Sequence, residues 1–208
     1  GGPAGVAAAV AAARQGAKTL LLEAQGCLGG IWTAGLLAYI LDTKNKSGLM
    51  HEILERIAKA ETAASGAQAK VSTCCDPEVV KIVLEQMCAE AGVQVQYHTR
   101  ICAAAVDKKS ANRLTHAITE SKSGREAFAG ETFVDCTGDG DLGALAGCAH
   151  RFGHPQTGLC QPMSMICLLA GLVPAEVKDF VRHEGGDWSG PKDRLRAEME
   201  RGGHSPSY

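Results

Sequence analysis

The first 25 positions are arranged as a helix followed by a strand. Alanines dominate residues 7–13, a composition that favours a helix, and Gly16 is placed to end it. Residues 18–23 then contain three consecutive leucines and end in a carboxylate, which predicts a buried parallel strand. The chain therefore opens with a helix that leads into a strand.

Two further helices are predicted in the middle of the chain. Apolar residues at four-residue spacing give residues 47–62 an amphipathic pattern. Asp76 is placed as an N-cap with Pro77 at the first helical position, and Gly92 ends the same helix.

Strand patterns follow the second of these helices. Alternating apolar residues predict strands over residues 93–97 and 101–105, and residues 114–120 and 125–131 read as a hairpin. Residues 132–136 predict a short buried strand. The strands before residue 132 thus give a β-meander, and residues 132–136 follow it as the last parallel strand.

The chain changes character after residue 150. The remaining predicted elements are a helix over 142–149, a strand over 163–169, a helix over 174–183 and a charged helix over 192–201. We expect residues 1–150 to form one domain, and residues 151–208 to begin a second, substrate-binding or cap domain.

Composition excludes several classes of partner. The 208 residues are 45% hydrophobic and 21% charged, with a net charge of -2, which gives no electrostatic case for nucleic acid or an anionic membrane. No apolar run approaches the roughly 20 residues that a membrane-spanning helix needs. The oligomeric state is left open.

Nine cysteines are present, but no two have the C-x-x-C spacing that is common in zinc and iron–sulfur sites. We interpret most of them as small buried residues of a cytoplasmic protein, and predict no metal site. The adjacent pair Cys74 and Cys75 is either redox-active or simply two reduced loop cysteines.

The segment before the first helix carries the most specific chemistry. Gly2 and Gly5 match the second and third glycines of the dinucleotide-binding pattern G-x-G-x-x-G, and Glu23 follows at the spacing of its acidic residue. The first glycine and the strand before it would precede residue 1, so we expect the chain to be a piece of a longer protein. The alternative is a glycine- and alanine-rich helix of an unrelated α/β protein.

Each motif residue has a physical role in such a site. Gly2 lets backbone amides approach a pyrophosphate, and Gly5 lets the helix pack closely on the sheet. The helix start then offers unpaired amides and a partial positive charge to the phosphates. Glu23 would accept hydrogen bonds from ribose hydroxyls, which argues against a 2′-phosphate at that position.

The order of the elements separates two classes of dinucleotide-binding protein. In a nicotinamide-type fold, the next parallel strand follows within a few tens of residues. Here roughly 70 residues intervene, and a β-meander precedes the last parallel strand, a pattern typical of flavoprotein domains.

Several segments in register resemble the FAD-dependent oxidoreductases of the two-dinucleotide-binding-domain superfamily, distant relatives of the fumarate reductase flavoprotein. The resemblance covers about residues 1–169. It rests on residues 1–5, 22–23, 28–30, 33–35, 76–78, 91–93 and 135–141. It implies an α/β, Rossmann-like FAD-binding domain with a parallel sheet, helices on both faces and a β-meander.

The resemblance also implies cofactor-binding positions near the start of the chain. Gly2, Pro3, Ala4 and Gly5 would contact the FAD pyrophosphate, and Glu23 the adenosine ribose.

The resemblance implies further positions along the rest of the cofactor. A backbone amide near Ile101 would pair with adenine. The family also implies residues along the pyrophosphate and ribityl path, namely Gly29, Gly30, Trp32 and Thr33. Thr137 and Gly138 match the family's A-T-G element, in which Cys136 replaces the alanine. Asp139 is either a ligand residue or, with Asp141, the cap of a turn.

The family implies hydride transfer between a small-molecule organic substrate and FAD, with a separate, unidentified electron acceptor. His154, Gln161 and Arg182 are candidates for the substrate side, or else ordinary surface residues. The family's second Gly-Asp element does not occur here, which also suggests truncation. The alternatives are an NAD-dependent dehydrogenase and a non-catalytic nucleotide-binding remnant.

Overall fold

The computed structural model describes residues 1–43, 46–66, 68, 70–110, 113–181 and 189–205. It contains two compact units, Gly1–Ile166 and Cys167–Tyr208. The boundary after residue 150 and the assignment of residues 151–208 to a substrate domain stay predictions. The fold is a mixed α/β architecture that includes a parallel sheet, as expected.

The first unit contains most of the regular structure. Its elements in chain order are α1 (Pro3–Arg14), β1 (Leu20–Leu22), a 3-10 turn (Gly30–Trp32), α2 (Leu49–Ser65), α3 (Pro77–Ala91), β2 (Gln94–Gln96), β3 (Arg100–Asp107), β4 (Arg113–Ser121), β5 (Gly124–Ala129) and α4 (Asp141–Leu145). The second unit contains α5 (Pro174–Val177), a 3-10 turn (Lys178–Phe180) and α6 (Ser189–Arg201).

Helix α1 ends where its sequence predicts. Gly16 adopts φ +88°, and its N–H donates to the carbonyl of Ala13 at 2.9 Å. The next amide, that of Ala17, donates to Ala12 at 3.2 Å, which completes a Schellman cap. Three residues later β1 begins and pairs in parallel with β2, with Leu21 opposite Val95. The predicted helix and parallel strand are confirmed.

Helix α3 begins and ends at the predicted residues. The Asp76 carboxylate accepts a hydrogen bond from the Glu78 N–H at 2.8 Å, Pro77 is the first helical residue, and Gly92 closes the helix at φ +76°. The apolar faces of the three long helices form the core with residues of β1 and the following loop. Its most deeply buried members are Val6, Val10, Leu28, Ile40, Val80, Val83, Leu84, Met87 and Cys88.

The predicted meander is confirmed as a three-stranded antiparallel sheet in the order β3-β4-β5. Residues Ser121 and Gly124 close the β4–β5 hairpin. The β3–β4 register shifts between Ile101 and Ala103, a bulge that increases local twist and bends the strand.

Two predicted strands do not form. Residues 132–136 and 163–169 carry no strand pairing, and Val134 is 66% exposed. A strand requires a hydrogen-bonded neighbour, and no segment within the described ranges pairs with either stretch. Apolar alternation alone therefore overpredicted regular structure here.

Two predicted helices have different bounds. Helix α4 ends at Leu145 rather than at residue 149, because Gly147 turns the backbone at φ +82°. Within the described part of the predicted 174–183 helix, residues 174–177 are α-helical and Lys178–Phe180 form a 3-10 turn. Residues 182 and 183 lie outside the described residues. The charged C-terminal helix is confirmed as α6, which begins three residues earlier than predicted.

The expectation that most cysteines are buried was wrong. Only Cys75 and Cys88 are buried, whereas four of the nine are exposed. Two of the exposed residues, Cys160 and Cys167, lie in a stretch without helix or strand whose residues are all exposed. All nine thiols are free.

Charged side chains tie the three long helices together on their solvent side. Arg14 of α1 donates two hydrogen bonds to Glu52 of α2, at 2.7 and 2.8 Å. Arg56 donates to Glu52 at 3.0 Å and to Glu90 of α3 at 3.0 Å. The hydrogen bond from Arg14, with the charge of Arg56, lowers the pKa of Glu52 to about 2 against an opposing effect of burial.

Glu52 should therefore make folding sensitive to acid. Its pKa is lower in the folded chain than the ordinary 4.5, so its stabilisation is present above pH 4.5 and is lost as pH falls toward 2. We expect Glu52→Gln to reduce the free energy of unfolding at pH 7 by about 1 kcal/mol and to flatten this acid dependence. Chemical denaturation from pH 7 to pH 3 measures both effects.

Glu55→Gln is the matched control, because Glu55 lies on the same helix, is more exposed and, among the described residues, pairs with His51 alone, at 3.4 Å. Equal losses from the two substitutions would contradict a special role for the interhelical ion pairs.

Candidate functional site

The start of α1 is open. Gly2 is the N-cap residue, and no side chain caps the helix. The first amides of a helix have no partner within it, so those at this end are open to a ligand. A Cβ placed on Gly2 would meet only the Cα of Gly30, at 4.0 Å. The main chain therefore faces free space at the position where the motif predicts a pyrophosphate.

Glu23 lies directly beside this helix start. Its side-chain Oε2 is 2.9 Å from the Gly1 amino nitrogen, and its Oε1 accepts a hydrogen bond from the Gln25 N–H at 2.6 Å. The residue is only 8% exposed. Because each carboxylate oxygen has two acceptor positions, both oxygens keep capacity for one more donor.

The packing at residue 1 requires glycine, which the sequence motif did not single out. A Cβ on Gly1 would lie 2.5 Å from Glu23 Oε2 and 2.8 Å from Leu28 Cδ2. Any side chain there would push the carboxylate away from the helix start. The signal in the sequence is the adjacent glycine pair, in which the motif itself requires only Gly2.

The loop after β1 packs against the same backbone. Gly29 adopts φ +103° and its N–H donates to the Gly1 carbonyl at 2.9 Å. Gly30 adopts φ +50°, and a Cβ on it would lie 3.0 Å from the Cα of Gly2. Two predicted cofactor residues thus lie against the α1 start by main-chain contact.

Trp32 and Thr33 belong to the same loop and are buried, at 8% and 1% exposure. The Thr33 hydroxyl donates to the Leu28 carbonyl at 2.6 Å. Thr33 therefore holds the shape of the loop through its side chain.

A turn that follows the meander reaches the other side of the α1 start. A Cβ on Gly5 would lie 3.5 Å from the Cβ of Cys136, in ordinary contact. Thr137 and Gly138 follow at once, and the space around Gly138 is open. The structure thus brings the A-T-G element close to the first helix.

The interpretation of Asp139 and Asp141 as turn caps is not supported. The acceptors in this turn are Asp135, which binds the Gly143 N–H at 2.8 Å, and Thr137, whose hydroxyl accepts from the Asp141 N–H at 2.7 Å. Asp139 instead lines a cavity of about 510 Å³, together with Asp135, Gly140, Gly143, Ala144, Cys148, Ala149, His150, Arg151 and Phe152.

Ile101 is half-buried near the start of β3. The same segment is joined to the carboxylate residue by its backbone, because the Thr99 N–H donates to the Glu23 carbonyl at 2.9 Å. His98 precedes it in a left-handed conformation at φ +51°. Its ring packs on Gly26, where a Cβ would lie 2.8 Å from His98 Cε1.

Comparison with protein-family models identifies the family of the chain. The model of the FAD dependent oxidoreductase family matches residues 1–207. The chain belongs to this family. The cofactor of the family is FAD, as predicted.

Two further comparisons were made. A search of curated proteins found no match. Among solved structures, THI4 of Thermovibrio ammonificans is similar at 14% identity and a TM-score of 0.49, over 70% of this chain and 58% of that chain. The chain thus spans 58% of the length of that protein.

The residues at the α1 start fit the family's cofactor. A dinucleotide needs a glycine cradle, free amides and a nearby carboxylate, and Gly2, the uncapped helix and Glu23 supply these within one small region. The role of each individual residue stays a prediction.

Two of the three candidates for the substrate side lie within the described residues. His154 lies in an exposed turn in which its N–H donates to the Leu159 carbonyl at 2.8 Å. Gln161 is exposed in an irregular stretch, and Arg182 lies outside the described residues. All three roles stay predictions.

The described part of the chain contains no helix with the length and apolarity of a membrane span. Within the same residues, no three His, Cys, Asp or Glu side chains form a group that could hold a metal ion.

The contact of Gly30 with Gly2 predicts a specific loss of stability. Gly30→Ala places a Cβ 3.0 Å from the Gly2 Cα and keeps a residue at positive φ. We expect unfolding free energy to fall by about 1–3 kcal/mol more than in Gly92→Ala, in a thermal or urea denaturation series.

Gly92 is the matched control because it also has positive φ, +76°, but no atom lies within 4 Å of the position that its Cβ would take. Its substitution costs only the backbone strain, about 1 kcal/mol. Equal effects of the two substitutions would show that the loop does not press on the helix start.

Proposed function

We propose that this chain binds FAD through its ADP half at the α1 start, and that it serves an oxidoreductase that transfers hydride between a small organic substrate and the flavin. The observation that carries the proposal is the buried Glu23 carboxylate, which lies beside the Gly1 amino nitrogen at an uncapped, glycine-lined helix start. Membership of the FAD dependent oxidoreductase family supports the choice of cofactor.

The helix start is suited to a diphosphate. The amides of Ala4 and Gly5 belong to the first turn of α1, and no side chain caps that turn. Unpaired amides and the helix dipole together favour negative charge at this end. Pro3 occupies the first helical position, where its missing N–H removes no hydrogen bond and its fixed φ favours the helix.

Glu23 is suited to a ribose. Its two oxygens are held by the Gly1 nitrogen and the Gln25 amide, which fixes the direction of the carboxylate. A carboxylate accepts hydrogen bonds from ribose hydroxyls and repels a 2′-phosphate. The backbone near Ile101 follows the Glu23-bound segment at Thr99, which supports an adenine position there.

FAD supplies the hydride acceptor when it is bound. The residues of this chain would bind and orient it, with Gly30 leaving no side chain beside Gly2 and Gly29 holding the loop to the Gly1 carbonyl. The substrate and the separate electron acceptor are proposed by class only. The free thiols fit a reducing compartment such as the cytoplasm.

Glu23→Gln tests this assignment. The amide keeps the shape of the carboxylate but replaces one acceptor oxygen with a donor, so FAD binding should weaken by about 1–3 kcal/mol. Titration with FAD, followed by quenching of flavin fluorescence, gives the dissociation constant for each variant.

Glu55→Gln, on the exposed face of α2, is the control and should leave FAD affinity unchanged. An affinity for FAD that Glu23→Gln does not alter would remove Glu23 from the ribose. Tight binding of NAD without any binding of FAD would support a nicotinamide-dependent dehydrogenase instead.

A further inference from the structure

We infer that Asp135 is a positioning residue of the cofactor site, which holds the turn of Thr137 and Gly138 against the start of α1. The inference rests on the proposed function, because it assigns a role in FAD binding to a side chain that does not itself approach α1. Hydrogen bonds to both oxygens of the Asp135 carboxylate give it this role.

One carboxylate oxygen of Asp135 organises the turn. Its Oδ1 accepts hydrogen bonds from the Thr137 N–H at 2.9 Å and from the Thr137 hydroxyl at 2.7 Å. The Thr137 hydroxyl in turn accepts from the Asp141 N–H at 2.7 Å. The backbone from residue 135 to residue 141 is therefore closed on itself around one side chain.

The other oxygen anchors the turn to α4. Its Oδ2 accepts from the Gly143 N–H at 2.8 Å, within the first turn of that helix. The residue is exposed as a whole, but partial desolvation of its carboxyl raises the pKa. The hydrogen bonds from Gly143 and Thr137 outweigh this effect and lower the pKa of Asp135.

The pinned turn is attached to the cofactor site through Cys136. This residue lies between Asp135 and Thr137. Its Cβ is 3.5 Å from the point where a Cβ on Gly5 of α1 would lie. Release of the Asp135 hydrogen bonds would free the segment that lies beside Gly5. The backbone of Thr137 and Gly138 would then lose its fixed place next to the α1 start.

Asp107 offers a closely matched control. Its Oδ1 accepts from the Lys109 N–H at 2.9 Å, the same two-residue turn that Asp135 makes with Thr137. It lies at the far end of β3, and hydrogen bonds lower its pKa as well. Asp107→Asn therefore makes the same change from carboxylate to amide in a similar two-residue turn, away from the α1 start.

The experiment compares FAD binding by the unaltered chain, Asp135→Asn and Asp107→Asn. Asparagine keeps one acceptor oxygen and loses the other, so we expect Asp135→Asn to raise the FAD dissociation constant about tenfold. Asp107→Asn should leave it unchanged. The circular dichroism of the bound flavin should differ from that of the unaltered chain only for Asp135→Asn.

A second measurement requires no variant and so does not depend on its folding. Hydrogen exchange at residues 137–143 of the unaltered chain should slow when FAD is added, while exchange at Lys109 and Ser110 stays the same. Absence of this protection in a chain that binds FAD would overturn the inference.

The outcomes separate the inference from the proposed function. Equal FAD affinity and equal flavin dichroism in the unaltered chain and in Asp135→Asn overturn the positioning role alone. Failure of the unaltered chain to bind FAD overturns the proposed function, and the inference with it.

Discussion

The close approach of three backbone segments at the start of α1 is the constraint on which the site depends. Gly1 leaves room for the Glu23 carboxylate, and Gly30 contacts Gly2 at a distance that admits no side chain. Glycine is favoured at residue 1 because the Glu23 and Leu28 side chains fill the space of a Cβ, and at residue 30 because the Gly2 main chain does. A small open cradle results, with free amides on one side and a buried carboxylate on the other.

The rest of the first unit holds this junction in place. Core residues of α1 pack against α3, and Arg14 joins the far end of α1 to Glu52. Parallel pairing of β1 with β2 fixes the strand that ends at Glu23, and the Thr99 amide binds the Glu23 carbonyl. After the meander, Cys136 lies beside Gly5 of α1.

Local signals in the sequence were sufficient for much of this fold. The cap at Asp76, the stop at Gly92 and the alanine content of α1 act within a few residues, so their helices could be predicted closely. Long-range requirements could not be predicted in this way. Residues 132–136 have a strand pattern but no pairing partner among the described residues, and the need for glycine at residue 1 comes from Glu23, 22 positions away.

The most direct test is a crystal structure of this chain with ADP, the half of FAD that the α1 start is proposed to hold. We predict diphosphate oxygens within hydrogen-bonding distance of the Ala4 and Gly5 amides, and a ribose hydroxyl on the Glu23 carboxylate. A diphosphate bound elsewhere, with the α1 start occupied by solvent or a side chain, would contradict this assignment.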